Sequence, residues 1–181
     1  MTRLTWDEYF MALAKLAAMR SGCNSRPTGA IIVKDKRVIA TGYNGSLPGQ
    51  RHCSEKENYC NRRVTGKDDS GENKYQECPS IHAEQNAINQ ISLLGGISLQ
   101  GAVIYCTLFP CVHCLKNIAS VGIKEVVYEM EYESDDKQRD KYWYSLMDNY
   151  GIRARRFEIG DKVIRDINSN MRHITSYRRM D

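Results

Sequence analysis

Two short motifs in this chain of 181 residues bring together side chains able to hold a metal and move a proton. One is His82-Ala83-Glu84; the other is Pro110-Cys111-Val112-His113-Cys114. His82, Cys111 and Cys114 offer one imidazole and two thiolates. Three protein ligands leave one corner of a tetrahedral zinc open to water, the arrangement of a catalytic rather than a closed structural site. Glu84 lies two residues beyond His82, so it need not ligate and can shuttle protons beside that water. Zinc brings the pKa of water toward neutrality, and the combination predicts hydrolytic chemistry near pH 7. Each motif alone is weak. A C-x-x-C serves as readily as a redox pair or half a structural finger, and an H-x-E arises by chance. The reading rests on finding both in this order, each at a helix start, where the helix dipole and free N–H groups favour the thiolate.

The elements that must position these residues follow from patterning. Thr5-Trp6-Asp7-Glu8 is a capping box, and Tyr9, Phe10, Leu13, Leu16 and Ala17 recur with a helical period until Gly22. Gly29–Val33 and Arg37–Thr41 form a β-hairpin around Lys34-Asp35-Lys36. Residues 44–80 show little periodicity. Beyond them the chain alternates: a helix over 82–93, a strand at Val103–Thr107, a helix at Cys111–Val121 and a strand at Lys124–Tyr128. A helix from about 135 to 149, closed by Tyr150-Gly151, and a strand over Ile152–Phe157 complete the series. Such alternation means an α/β layer fold with a largely parallel second half.

Hydrophobic residues make up 41% of the chain and charged residues 27%, a globular balance. No apolar run is long enough to span a bilayer. The first residues lack the apolar core of a secretory signal, so the expected location is the cytoplasm and no membrane partner is expected. A net charge of +4 suits an anionic substrate without arguing for nucleic acid. Seven cysteines without such a signal favour metal ligation over disulfides. Cys106 lies within a strand and reads as core packing. Basic residues gather late, at Arg153, Arg155, Arg156, Arg165, Arg172, Arg178 and Arg179, and residues 158–181 read as a basic tail.

The two motifs in this order match the signature of zinc-dependent base deaminases; that is recognition of a pattern. Further elements make the likeness narrower. Thr28-Gly29-Ala30, Gly42-Tyr43-Asn44-Gly45 with Pro48-Gly49, Glu84-Gln85-Asn86-Ala87-Ile88 and Phe109-Pro110-Cys111 all stand where they do in the deoxycytidylate deaminase family. From about residue 5 to residue 157 the chain resembles that family. The resemblance implies one domain over 1–157 with a Cys-rich insertion at 51–80. Its fold would be a three-layer α/β/α cytidine-deaminase-like one, a central mixed five-stranded sheet flanked by helices. The implied reaction is zinc-dependent hydrolysis of dCMP to dUMP and ammonia. Glu84 would be the catalytic proton carrier, and Asn44, Ala83, Arg26 and Tyr132 would contact substrate, with Arg26 at the 5′-phosphate. A second, structural zinc would sit on Cys23, Cys53, Cys60 and Cys78, with His52 as an alternative ligand. The Gly42, Gly45 and Gly49 loop would answer dCTP as activator and dTTP as inhibitor, with Mg2+ accompanying the triphosphate, in a homo-oligomer such as a hexamer.

Three alternatives stay open at this point. The enzyme acts on dCTP; it is a nucleic-acid deaminase of the tRNA type; or it is a zinc-stabilised binding module. The Gly-Tyr-Asn-Gly element and the cysteine insertion point away from tRNA, and a binding module would give Glu84 no role.

Overall fold

The computed structural model describes residues 3–56, 60, 78–131 and 137–171. Tyr132 and most of the 51–80 insertion lie outside the described residues. Helix α1 spans Trp6–Ala18, and its capping box is formed: the Thr5 backbone N–H donates to Glu8 Oε2 at 2.7 Å while the Glu8 N–H donates to Thr5 Oγ1. The helix stops at Met19 rather than at Gly22, because Gly22 is used elsewhere: its N–H donates to the Asn44 carbonyl. Strands β1 (Gly29–Lys34) and β2 (Arg37–Tyr43) pair antiparallel. Their turn needs two residues, not three. Asp35 and Lys36 both take positive φ (49° and 59°), the conformation of a two-residue turn that matches the strand twist.

The stretch expected to lack structure contains short pieces of it. Strand β3 (Gly45–Ser46) pairs with β4 (Ser80–Ile81), and a 3₁₀ turn covers Cys53–Glu55. Two-residue strands carry no period to read, so patterning misses them. Helix α2 (Ala83–Leu94), β5 (Val103–Leu108), α3 (Val112–Ser120), β6 (Glu125–Met130), α4 (Lys137–Asn149) and β7 (Arg153–Arg156) follow in the expected order. A further helix, α5 (Asp161–Met171), lies within the stretch read as a basic tail. Its Val163, Ile164 and Ile167 recur with a helical period and pack on the core, a signal that the count of arginines obscured.

The main sheet runs β2-β1-β5-β6-β7. The hairpin meets β5 antiparallel, and β5, β6 and β7 are parallel. Alternate side chains divide the core into two layers, as strand pleating requires. On one face Ala30, Ile32, Ile104, Cys106, Val126 and Tyr128 pack against α2, α3 and Met147 of α4. On the other, Ile31, Val33, Tyr105 and Val127 pack against Phe10, Met11 and Ala14 of α1 and against α5. The expected three-layer fold is therefore present, and Cys106 is core.

Two glycines set how closely helices approach the hairpin. A Cβ on Gly42 would lie 2.1 Å from the Ala83 carbonyl oxygen, and one on Gly29 would lie 2.1 Å from the Ala14 carbonyl oxygen. Gly42 thus seats the first turn of α2, the turn that follows His82 and carries Glu84, directly on β2.

Candidate metal centre and active site

His82 and Cys111 are the N-cap residues of α2 and α3, both in extended backbone (ψ 153° and 167°). Each therefore stands just outside a helix, at the end where the first N–H groups lack intrahelical partners. Cys114 lies in the first turn of α3, beside Cys111. The helices are tied together by a bond from the Asn117 side-chain N–H to Gln85 Oε1. The parallel crossover from β5 and the short β4–α2 entry bring both starts to one place.

There, His82 Nδ1 lies 3.4 Å from Cys111 Sγ and 3.4 Å from Cys114 Sγ. A tetrahedral zinc about 2.3 Å from sulfur and about 2.0–2.1 Å from nitrogen holds S and N roughly 3.5 Å apart, so the observed spacing fits the ion. All three donor atoms lie within 4.8 Å of one another, and this is the one such group found among the described residues. The electrostatics agree. The Cys111 thiol is lowered by a hydrogen bond from Cys114 and by His82, while Cys114 is raised by the same bond and by burial. Two thiols so close, one of them buried, cannot both ionise unless a cation joins them. His82, bonded to Cys111, is raised.

Glu84 is buried beside this group, 7% exposed. Burial pushes its carboxyl up to about 7, opposed by its own backbone N–H and by His82. A carboxyl with that value accepts and returns protons near neutral pH.

The remaining expected site residues are placed as follows. Ala83 is buried under Gly42. Arg26 is exposed on the loop of residues 19–28, between α1 and β1, and its carbonyl accepts from Asn44 Nδ2 at 2.9 Å. The Asn44 side chain is committed to that same loop. Its Oδ1 accepts from Ser21 Oγ at 2.6 Å and from the Thr28 N–H at 2.8 Å. At most one of its N–H groups is left for a ligand. A Cβ on Gly45 would lie 3.5 Å from the His52 ring, and Gly49 is exposed with φ +81°. Cys23, Cys60 and Cys78 are half-buried and Cys53 is buried. Burial raises the Cys78 thiol, as do the charges of Cys23, Cys53 and Cys60. Asn24 Nδ2 donates to the Cys53 and Lys56 carbonyls, joining the loops that carry Cys23 and Cys53. His52 Nδ1 accepts from the Ser46 N–H.

Patterning gave no role to Ser21 or to Asn86, the latter named only within a family element. Asn86 Nδ2 donates to the Tyr43 carbonyl at 2.8 Å, fixing α2 to the end of β2. Neither belongs to a motif with its partner, so only the folded chain reveals them.

Residues 4–130 match the family model for the cytidine and deoxycytidylate deaminase zinc-binding region. The chain is 36% identical to ComE operon protein 2 of Bacillus subtilis (strain 168), over 91% of this chain and 77% of that one. It is 42% identical to the deoxycytidylate deaminase of Mycobacterium phage D29, over 72% of this chain and 99% of that one. It spans about half the length of the yeast deoxycytidylate deaminases it also matches, 47% and 45% of those chains. Among solved structures, dCMP deaminase from the cyanophage S-TIM5 in complex with dCMP and dUMP aligns with TM-score 0.62 and 26% identity, covering 87% of this chain and all of that one.

Proposed function

The chain belongs to the cytidine and deoxycytidylate deaminase family, and from that membership we propose that it hydrolyses deoxycytidylate to deoxyuridylate and ammonia. The observation that carries the reading is the triangle of His82, Cys111 and Cys114 with the buried Glu84 beside it. Zinc, when bound to that triangle, makes water acidic enough to react near neutral pH. The chain's own residues do the rest. Glu84 takes a proton from the attacking water and gives it to N3 of the cytosine ring as the oxygen adds at C4. It then carries the second proton of that water to the 4-amino group, the C4–N4 bond breaks, and ammonia departs. Burial of Glu84 keeps the proton from being lost to solvent between the two transfers.

Substrate contacts from Asn44, Ala83, Arg26 and Tyr132 belong to this reading, with Arg26 at the phosphate. So does a second, closed zinc site on Cys23, Cys53, Cys60 and Cys78. Its support is that the charges of Cys23, Cys53 and Cys60 reach and raise the Cys78 thiol, and that Asn24 joins the loops of Cys23 and Cys53. Among the described residues, the four sulfurs are not drawn into one metal-holding group as His82, Cys111 and Cys114 are. The family resemblance extends the reading to a cytoplasmic hexamer that takes dCTP and dTTP, with Mg2+, at the glycine loop of residues 42–49.

Ammonia release should be measured with cytosine mono-, di- and triphosphates, deoxy and ribo, with and without thymidine triphosphate. The reading expects dCMP to be turned over fastest and dTTP to slow it. No release from dCMP by zinc-loaded protein would refute the substrate, and preference for dCTP would move it to the triphosphate.

A further inference from the structure

We infer that Gln85 and Asn117 form a latch between α2 and α3 that presets the spacing of His82, Cys111 and Cys114, so that both amides are positioning residues for the metal. The inference rests on the zinc reading above and not on which nucleotide is deaminated. Gln85 lies three residues beyond His82, and Asn117 lies three beyond Cys114. Residues three apart share a helix face, so each amide stands about one turn along its helix from a ligand, on the same side. There the Asn117 side-chain N–H donates to Gln85 Oε1 and joins the two helices. Gln85 Nε2 donates in turn to Asn89 Oδ1 at 3.0 Å, one turn further along α2. That second bond uses the nitrogen of the Gln85 carboxamide and leaves its oxygen to face α3. All three side chains are half-buried, where a run of amide bonds is stronger than the same run in water.

The latch and the metal close the same gap. His82 and Cys111 are 29 residues apart in the chain, and their helices start from separate strands, β4 and β5. With the latch made, the His82 nitrogen already stands 3.4 Å from each sulfur. Without it, part of the free energy of metal binding goes into drawing the two helix starts together. Because both act on one separation, their coupling is reciprocal: the latch strengthens zinc binding by the factor by which zinc strengthens the latch. A hydrogen bond of this kind changes an equilibrium by up to about tenfold. A contact that only packs the helices behaves differently. It stabilises the zinc-free and zinc-loaded chains alike and leaves the affinity for metal unchanged.

The test compares Gln85→Ala, Asn117→Ala and the double variant with wild type, each zinc-free and zinc-loaded. Alanine is the better helix former, so both helices should survive. Zinc affinity is measured by competition with a chromogenic chelator, and His82→Ala marks any zinc held elsewhere on the chain. Cobalt in place of zinc gives a second reading, since thiolate-to-cobalt absorption reports the ligand set. Each single variant should bind zinc about tenfold more weakly. The double variant should be no worse than either, because all three cut one bond. The cobalt spectrum at saturation should match wild type, and the rise in melting temperature on zinc loading should shrink. Wild-type zinc affinity, with equal losses of melting temperature in the zinc-free and zinc-loaded states, would overturn the inference. So would single effects that multiply in the double variant. If an alanine variant does not fold, Asn117→Ser, too short to reach Gln85, carries the same expectation. A wild-type chain that takes no zinc at His82 would refute the metal reading and the latch with it. Zinc binding without turnover of dCMP would count against the substrate alone, and the affinities would still decide the latch.

Discussion

Burial pushes the Glu84 carboxyl up to about 7, and the proposed role needs a carboxyl that both accepts and returns a proton near neutral pH. An amide does neither. Glu84→Gln is expected to retain zinc, measured by metal analysis, while ammonia release falls by at least about a thousandfold; normal turnover in a zinc-loaded variant would end the assignment. The residues proposed for this chemistry were legible in the chain because their spacing is local. His82 and Glu84 are two apart, Cys111 and Cys114 three apart, and each pair needs only a helix start to be aimed. Asn44 was legible as a candidate, but its bonds to Ser21, Arg26 and Thr28 were not. What it bonds lies around 20 positions earlier in the chain, and no local pattern announces that a loop will return to it. Tyr132 lies outside the described residues, and its place over the substrate remains part of the proposal.

Helix α2 is where packing and chemistry meet. Its first turn bears Glu84, the proposed proton carrier, and rests on a strand with no room for a methyl group at Gly42. Gly42→Ala must push α2 away from β2, an overpacking that costs about 2–3 kcal/mol. The expected result is a lower melting temperature together with weaker zinc retention, read by thermal unfolding and by metal loss to a mild chelator. Gly29→Ala should cost a similar amount through α1 and leave zinc retention intact, since α1 lies on the opposite face of the sheet. A Gly42→Ala protein that holds zinc as well as wild type would mean that α2 can shift without disturbing the site. The long elements were legible to within a few residues because each shows its period over several turns or alternations. The pair β3–β4 and helix α5 were not: the first is too short to have a period, and the second hides three apolar positions among charges.

Across the whole molecule, α1 is joined to the far edge of the sheet by charge. Arg155 of β7 grips Asp7 with two bonds, at 2.7 and 2.9 Å, and reaches Glu125 of β6 with a third, while Tyr105 donates to Asp7. Burial alone would raise the Asp7 carboxyl, but Arg155 and Tyr105 outweigh it and hold it below the usual carboxylate range. Its contribution is therefore present above the unfolded value near 4 and disappears as pH falls through the folded value. The cluster is partly exposed, so its worth is about 1 kcal/mol. Urea unfolding of Asp7→Asn should show that deficit at pH 7, and the gap should close as acid protonates Asp7 below its lowered folded value; a gap that stays equal into acid would point to packing instead. Removing zinc should also be felt globally. With no cation, the Cys111 and Cys114 sulfurs lose what joins α3 to His82, and the melting temperature should drop by at least about 5 °C.

Glu129 is buried beneath Lys15 of α1, which bonds its carboxylate at 2.5 Å, while the same carboxylate accepts from the Ile159 N–H at the approach to α5. One side chain of β6 thus fastens α1 to the segment that leads into α5. Local fraying at either should be suppressed, and both should exchange their amide hydrogens through a single shared opening event. Deuterium uptake would then advance at matching speed in α1 and around Ile159, and Glu129→Gln would release the two to exchange on separate clocks.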